Sequence, residues 1–274
     1  MRKRIIIILA LAFAVSIAFW IVAFDTRLET TWYEIESDKI PEPLTFALIA
    51  DLHSCDYGEG MTELISAVDA AAPDFILLAG DIADDLLPDD NTFTFVQNVA
   101  ARYPCYYVTG NHEIWGGKED EVKATFREFG VTVLEGSNAE LELGAVRLNI
   151  CGVDDTSAGG PRFRKQLPAA FLGIDMDNYS ILMGHRPERI HQYSRFACDL
   201  VVSGHAHGGQ WRIPFTNISL FAPNQDFFPK YTSGLYKYEN TQMLVSRGLA
   251  RESTRIPRIF NRPELVLMEL LPKN

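Results

Sequence analysis

Three apolar segments of this chain each end in polar residues, and these ends are regularly spaced. The segments "LTFALIADLH", "DFILLAGDI" and "CYYVTGNHE" place Asp51, Asp81 and Asn111 at intervals of 30 residues. Helical patterns separate the segments, so the sequence predicts strand–helix repeats and a mostly buried parallel sheet. Because parallel strands end at the same edge of a sheet, we expect these polar residues on one rim, where open α/β sheets bind ligands.

The second half of the chain is richer in strand patterns with short connections. The segments "AELELGAVRLNICGVDD", "YSILMGH" and "ACDLVVSGHAH" predict further strands. They favour a second sheet and an α/β (α+β) class for the whole domain. We expect this domain to cover residues 44–274, after a polar linker over residues 25–43 that contains Pro41 and Pro43.

Histidines at the ends of two later strand patterns add to the expected rim. Of the six histidines in the chain, five lie in these strand-end motifs, and His191 is the exception. Each motif alone has an ordinary explanation, because Asp, Asn and His are common in turns and helix caps. Their joint occurrence favours a metal site. The expected ligands are Asp51, His53, Asp81, Asn111, His185, His205 and His207.

Seven nitrogen and oxygen donors exceed what one transition metal needs. They suit two divalent ions about 3.5 to 4 Å apart, bridged by one carboxylate and a hydroxide. Imidazole with carboxylate and amide fits Mn, Fe, Zn or Co better than calcium, and Mn is favoured here. The four cysteines form no CxxC pair, so a zinc ribbon is not expected. Cys105, Cys151 and Cys198 are expected to be buried thiols, whereas the role of Cys55, two residues after His53, stays open.

The amino terminus is expected to lie outside the domain. Residues 5–24 carry no charge, and at about 1.5 Å per residue a helix of this length spans a bilayer core. A cleaved signal peptide is the alternative, although its apolar region is usually about 7 to 15 residues long. An uncleaved single-pass anchor over residues 1–24 is favoured. The basic residues 2–4 place the N-terminus in the cytoplasm and the domain outside it.

The net charge of −11 bears on the class of partner. An acidic protein is poorly suited to nonspecific nucleic-acid binding, which requires basic surface. It can still bind a phosphate substrate when a bound cation supplies positive charge.

The motifs "DLH", "GDIAD", "GNHE", "MGHRPE" and "GHAHGGQ", in this order, resemble those of the calcineurin-like metallophosphoesterases. The segment "CGVDD" and the tail "VSRGLARESTRIPRIFNRPELVLMEL" are similar to the membrane-anchored bacterial branch of YkuE- and YaeI-like phosphodiesterases. The resemblance implies a two-sheet β-sandwich flanked by helices, with two divalent ions that activate a bridging hydroxide.

The resemblance also implies a role for each site residue. Asp51, His53 and His207 would hold the first metal, and Asn111, His185 and His205 the second. Asp81 would bridge them. His112 would approach the scissile phosphate, and the carboxylate of Asp84 would orient His112.

The anchor, together with the basic and apolar segment of residues 162–173, favours a lipid-linked or envelope phosphodiester or pyrophosphate as the substrate. A phosphomonoesterase on the same site, or a noncatalytic metal-binding scaffold, stays open. Five arginines in the tail, Arg247 to Arg262, would either pair with surplus carboxylates or grip a second phosphate. The basic and apolar segment of residues 162–173 would be an ordinary helix or touch the membrane surface. Oligomeric state is not indicated.

Overall fold

Two six-stranded sheets face each other, and helices cover the outer face of each, as the sequence predicts. The computed structural model describes residues 2–214, 216, 218–251 and 256–273. The helices of the described chain are α1 (Arg2–Ala23), α2 (Thr62–Ala71), α3 (Asp90–Ala100), α4 (Asn111–Trp115), α5 (Glu119–Glu128), α6 (Gly160–Ala169) and α7 (Ile190–Tyr193). The strands are β1 (Glu29–Ser37), β2 (Leu44–Ile49), β3 (Phe75–Ala79), β4 (Cys105–Val108), β5 (Thr132–Val133), β6 (Ser137–Leu143), β7 (Val146–Gly152), β8 (Tyr179–Met183), β9 (Leu200–Ser203), β10 (Phe221–Ala222), β11 (Asp226–Phe227), β12 (Gly234–Tyr238), β13 (Thr241–Val245) and β14 (Glu264–Pro272).

Each sheet has a parallel centre and antiparallel additions. The first has the order β1-β14-β2-β3-β4-β5, with β2 to β5 parallel and β14 antiparallel to β2. The second has the order β12-β13-β9-β8-β7-β6, with β7, β8, β9 and β13 parallel. β10 and β11 form a separate short hairpin. The parallel strands direct their carboxyl ends towards shared rims.

The central strands are apolar throughout because both of their faces are buried. Phe46 and Leu48 of β2 belong to the core between the two sheets. Ala47 and Ile49 of the same strand belong to a second core, beneath α2, α3 and α5. A third core lies under α6 and α7 on the far side of the second sheet. Burial on both faces is typical of parallel sheets and explains the continuous apolar runs.

The expected linker of residues 25–43 is not a linker throughout. β1 lies within it and pairs in parallel with β14 over nine residues at the edge of the first sheet. Along β1 the side chains alternate between the two faces. Tyr33 packs against the core between the sheets and Ile35 is buried in it, whereas Glu34 and Glu36 are exposed. An edge strand with one solvated face therefore has the polar composition that suggested a linker.

α1 is 22 residues long, and it is the helix in the described chain that is long and apolar enough to cross a membrane. Its rise of about 1.5 Å per residue gives it a length of roughly 33 Å. Nearly all of its side chains are exposed, which is unlike the core helix of a soluble domain. This agrees with the expected apolar N-terminal segment.

Cys105, Cys151 and Cys198 are buried thiols, as expected, and none of the four cysteines is in a disulfide. Cys55 is also buried, and its Sγ accepts a hydrogen bond from the backbone N–H of Arg251 at 3.2 Å. Cys55 therefore helps to position the tail segment against the loop after β2.

Candidate metal centre

Five strand ends deliver polar side chains to one rim, as the spacing of the motifs predicts. β2 is followed by Asp51, β3 by Asp81, β4 by Asn111, β8 by His185 and β9 by His205. All five side chains are buried. The expected ligands form two groups of three whose donor atoms lie within 4.8 Å of one another: Asp51 with His53 and His207, and Asp81 with His185 and His205.

The first group has the donor spacing of a metal site. Nε2 of His207 lies 3.8 Å from Oδ1 of Asp51. Nε2 of His53 lies 3.7 Å from Oδ2 of Asp81, and it is buried with no hydrogen-bond partner among the described residues. These separations are too long for hydrogen bonds. They suit ligands of one ion, because metal–ligand bonds of about 2.0 to 2.2 Å leave adjacent ligands roughly 3 to 4 Å apart.

The second group lies against the first, because its Asp81 carboxylate also approaches His53 of the first group. Nε2 of His185 lies 3.0 Å from Oδ2 of Asp81 and 3.9 Å from Oδ1 of Asp51. Asn111 is buried at the start of α4, beside this group. Asp81 therefore has contacts to His53 on one side and to His185 on the other, which is the position expected of a bridging ligand.

Three of the imidazoles have one ring nitrogen fixed by an oxygen atom outside the two donor groups, and the second nitrogen of His185, Nε2, is hydrogen-bonded to Asp81 at 3.0 Å. Nδ1 of His53 donates to Asp84 at 2.9 Å, and Nδ1 of His185 donates to the Ala79 carbonyl at 2.8 Å. Nε2 of His205 contacts the amide oxygen of Asn224 at 2.8 Å. Such outer partners select the tautomer that can bind a metal. The buried residues present thus fit a pair of divalent ions.

The ligand backbones adopt an unusual conformation. Asp51, His53, Asp81, His205 and His207 all have positive φ, between 46° and 65°. The left-handed region is rare for residues other than glycine, and such residues cluster at functional sites. Close packing accompanies the strain: a Cβ at Gly204 would lie 2.5 Å from Oδ2 of Asp51. Glycine at this position lets the two loops approach each other.

Burial and neighbouring charges determine which carboxylates and imidazoles at the rim are protonated. Burial would raise the pKa of Asp81, but His185 and the other nearby imidazoles hold it well below its usual range. Burial lowers the pKa of His185, yet the carboxylates of Asp81 and Asp51 outweigh burial and raise the pKa to about 10. Burial, with the positive charge of His185 and Arg186, lowers the pKa of His205 to about 3. His205 is thus neutral, the form in which imidazole binds metal, whereas His185 is protonated without an ion and would release its proton when one binds.

His112 and Asp84 are both at the rim, but their expected hydrogen bond is not present. Nδ1 of His112 lies 2.7 Å from Oδ1 of Asp85 and 3.6 Å from Oδ2 of Asp84. The Asp84 carboxylate is instead occupied by His53 and by the backbone N–H groups of Leu86 and Leu87. Asp85 therefore orients His112, and Asp84 orients His53.

Glu113, the last residue of "GNHE", holds two of the ligand loops together. Its Oε1 accepts hydrogen bonds from the backbone N–H groups of Ile82 and Ala83, and its Oε2 from those of Asp81 and Gly110. The motif contained this residue, but sequence reasoning assigned it no role.

A second set of residues that sequence reasoning missed surrounds His205. The buried guanidinium of Arg186 binds both carboxylate oxygens of Asp155 at 2.6 and 3.1 Å. It also lies 3.1 Å from Nε2 of His205 and 2.5 Å from Oδ1 of Asn224. "MGHRPE" and "CGVDD" contained Arg186 and Asp155, whereas nothing in the sequence pointed to Asn224.

The described arginines of the tail form ion pairs and hydrogen bonds within the protein. Arg247 pairs with Glu29 and Glu264, and Arg251 pairs with Glu63. Arg258 and Arg262 donate to backbone carbonyls. Arg255 lies outside the described residues. Pairing with surplus carboxylates and backbone therefore accounts for the four described arginines better than a phosphate grip does.

Several known proteins are similar to this chain in sequence or in fold. The chain is 28% identical to the uncharacterised metallophosphoesterase YkuE of Bacillus subtilis (strain 168), with 90% of this chain and 87% of YkuE covered. It is 26% identical to phosphodiesterase YaeI of Escherichia coli (strain K12), with 98% and 99% covered. The crystal structure of TT1561 of Thermus thermophilus has a similar fold, with a TM-score of 0.52 at 12% identity over 76% of this chain and 91% of that one.

The strand-end motifs account for the family assignment. The model of the calcineurin-like phosphoesterases matches residues 44–209, which runs from β2 to the loop that carries His205 and His207. This range contains every one of the expected ligands. The chain therefore belongs to the calcineurin-like phosphoesterase family and is a metallophosphoesterase.

Proposed function

We propose that this chain is a two-metal phosphodiesterase or pyrophosphatase that acts on a membrane-associated phosphate substrate. The observation that carries the proposal is the pair of adjacent donor groups, which meet at the Asp81 carboxylate. Two neighbouring cation sites that share a carboxylate suit phosphoryl chemistry, where both the attacking and the leaving oxygen need stabilisation.

The seven buried donors divide between two ions. Asp51, His53 and His207 would hold the first ion, Asn111, His185 and His205 the second, and Asp81 both. When bound, the ions would make hydroxide available near neutral pH and offset negative charge on the phosphoryl group. The donors are preorganised, because loop conformation, Glu113 and the outer partners of the imidazoles fix them before any ion binds.

His112 is placed to act on the substrate rather than on a metal. Its side chain is partly exposed, unlike those of the expected ligands, and Asp85 holds its Nδ1. The opposite nitrogen, Nε2, faces away from Asp85, and in the imidazolium form of His112 it can donate a proton to a phosphoryl or leaving oxygen. Its ring lies edge-on to that of His53, with centroids 4.2 Å apart, which keeps it beside the centre.

The membrane association of the substrate and enzyme is part of the proposal. The apolar helix α1 supports a single-pass anchor over residues 1–24, and the basic residues 2–4 support a cytoplasmic N-terminus with the catalytic domain of residues 44–274 outside the cytoplasm. Manganese is the favoured ion, because the donor set combines imidazole with carboxylate and amide.

Hydrolysis of bis-p-nitrophenyl phosphate by the full chain with added Mn²⁺ tests the function. We expect activity in the wild type and none in Asp81→Ala, while His112→Ala lowers turnover and retains bound metal. Full activity in both variants would exclude the proposal. Faster hydrolysis of p-nitrophenyl phosphate than of the diester would favour the alternative, a phosphomonoesterase.

A further inference from the structure

Several exposed apolar side chains lie together near the loop that carries the expected ligand His207. The described chain has eleven large ones after residue 24, and four of them lie on one surface. They are Trp211, Phe227, Phe228 and Ile256. Single exposed apolar residues are ordinary on proteins, but a contiguous group marks a surface that binds something apolar.

Part of this surface encloses a cavity, which we call the apolar pocket. Its volume is about 480 Å³, within the range of ligand pockets. The β10–β11 hairpin contributes facing rings, with the centroids of Phe221 and Phe227 5.9 Å apart. The pocket is lined by Gln210, Trp211, Leu220, Phe221, Phe227, Phe228 and Ile256. Except for Gln210 these residues are apolar, so the pocket suits a hydrocarbon rather than a charged group.

The pocket is joined to the metal centre by a short and fixed segment. Gln210 follows the expected ligand His207 by three residues, so their Cα atoms lie within about 10 Å of each other. The buried Asn261 amide donates to the carbonyls of both His207 and Gln210, at 2.7 and 3.2 Å. The lining of the pocket and the loop of the expected ligand His207 are therefore held close together.

Residues that are close in sequence to this surface contact α1. The ring of Phe260 contacts that of Phe19, with centroids 5.2 Å apart. The backbone N–H of Phe260 donates to the backbone carbonyl of Ala23. Pro214, three residues after Trp211, lines a groove against α1. Phe19 lies four residues before the end of α1, or about 6 Å along the axis. With α1 across a bilayer, this surface would lie at the boundary between headgroups and acyl chains.

We propose that the apolar pocket binds the hydrocarbon chain of a lipid phosphodiester while its phosphoryl group lies at the metal centre. This inference rests on the proposed function and names the substrate class for it. The pocket residues are close in sequence both to the His207 loop and to residues that contact α1, which favours a lipid over a second copy of the chain.

Two probes that differ only in chain length test the inference. Methyl and octyl p-nitrophenyl phosphate share the reacting diester and the leaving group, and hydrolysis of either one adds water across the P–O bond and releases p-nitrophenolate. The full chain is assayed in phosphatidylcholine nanodiscs with Mn²⁺. The quantity measured is the ratio of kcat/KM for the octyl ester to that for the methyl ester.

Two variants alter the pocket in different ways. Phe228 is 70% exposed, so Phe228→Asp adds charge to the pocket without disturbing a core. Leu220→Trp adds bulk at a partly buried residue that lines the pocket. Each buried methylene contributes a factor of about four, so we expect both variants to lower the ratio about tenfold or more. Leu172→Asp, at an apolar side chain that is 73% exposed and outside the pocket, is the matched control and should keep the wild-type ratio.

The outcomes separate this inference from the proposed function. A wild type that hydrolyses neither ester overturns both. Hydrolysis of the methyl ester, with the same ratio in the wild type and in both pocket variants, overturns the inference alone. A dimer that Phe228→Asp dissociates while the ratio is unchanged would assign the pocket to a second copy of the chain.

Discussion

The Oδ2 atom of Asp84 lies 2.9 Å from Nδ1 of the buried His53 ring. This contact leaves Nε2 of His53 facing the centre, so Asp84 acts on metal binding through His53. Loss of an outer carboxylate of this kind typically weakens metal binding about 10- to 100-fold. We expect Asp84→Asn to raise the Mn²⁺ concentration that gives half-maximal activity by about this factor, with activity recovering at saturating Mn²⁺.

Asp85→Asn is the matched control, because Asp85 is adjacent in sequence but bonds His112. We expect it to lower kcat while the midpoint of the Mn²⁺ titration stays at the wild-type value. Equal midpoints in the two variants would contradict the separate assignments of Asp84 and Asp85.

Glu113 is expected to contribute strongly to stability. In Glu113→Gln, an NH₂ group replaces one of the two oxygens and then faces two backbone N–H donors. Burial raises the pKa of Glu113 to about 7, so the side chain is not fully ionised near neutral pH. A buried donor that loses its acceptor costs about 1 to 3 kcal/mol, so the free energy of unfolding should fall by about 2 kcal/mol or more. Thermal unfolding of the full chain in detergent measures the change, and Glu128→Gln, at an exposed position, should leave the midpoint unaltered. Equal midpoints for the two variants would contradict the role of Glu113.

The sequence predicts the central strands and the rim because both arise from simple packing. β2, β3 and β4 are apolar on both faces and end in ligands, which places those ligands at one edge. β1 was missed because its outer face is polar, so its composition resembles that of a linker. Adjacent carboxylates such as Asp84 and Asp85 cannot be assigned to different imidazoles from sequence alone, since only tertiary contacts distinguish them.

Asn224 lies in the turn between β10 and β11, where no strand or helix pattern indicates a functional residue. Its amide oxygen contacts Nε2 of His205 and the guanidinium of Arg186. We expect Asn224→Ala to weaken binding at one of the two metal sites about 10- to 100-fold and to leave the other unchanged. Calorimetric titration with Mn²⁺ should then resolve two affinities. Asn240→Ala, at an exposed residue, should match the wild type, and an unaltered titration in Asn224→Ala would contradict the assignment.

The ion pairs of a buried lysine are expected to make the protein less stable at acid pH. Lys123 forms ion pairs with Glu119, Glu135 and Asp154 at 2.6 to 2.8 Å. Burial would raise the pKa of Glu135, but Lys123 and Arg127 lower it below 4.5. A lowered carboxylate pKa gives stability that is present above pH 4.5 and is lost as the pH falls through the folded pKa.

We therefore expect the wild-type melting temperature to fall as the pH is lowered from 6 to about 3.5, and to fall less in Lys123→Met. At pH 6 Lys123→Met should itself be less stable, because it leaves buried Asp154 without this partner. Parallel melting curves for the two proteins across this pH range would argue against the ion-pair account.

Anomalous diffraction at the manganese edge, from crystals of the full chain soaked in Mn²⁺, tests the central claim most directly. We predict two peaks about 3.5 to 4 Å apart, one on each side of the Asp81 carboxylate, within bonding distance of the seven expected ligands. A single peak, peaks away from Asp81, or no anomalous signal at saturating Mn²⁺ would contradict the account.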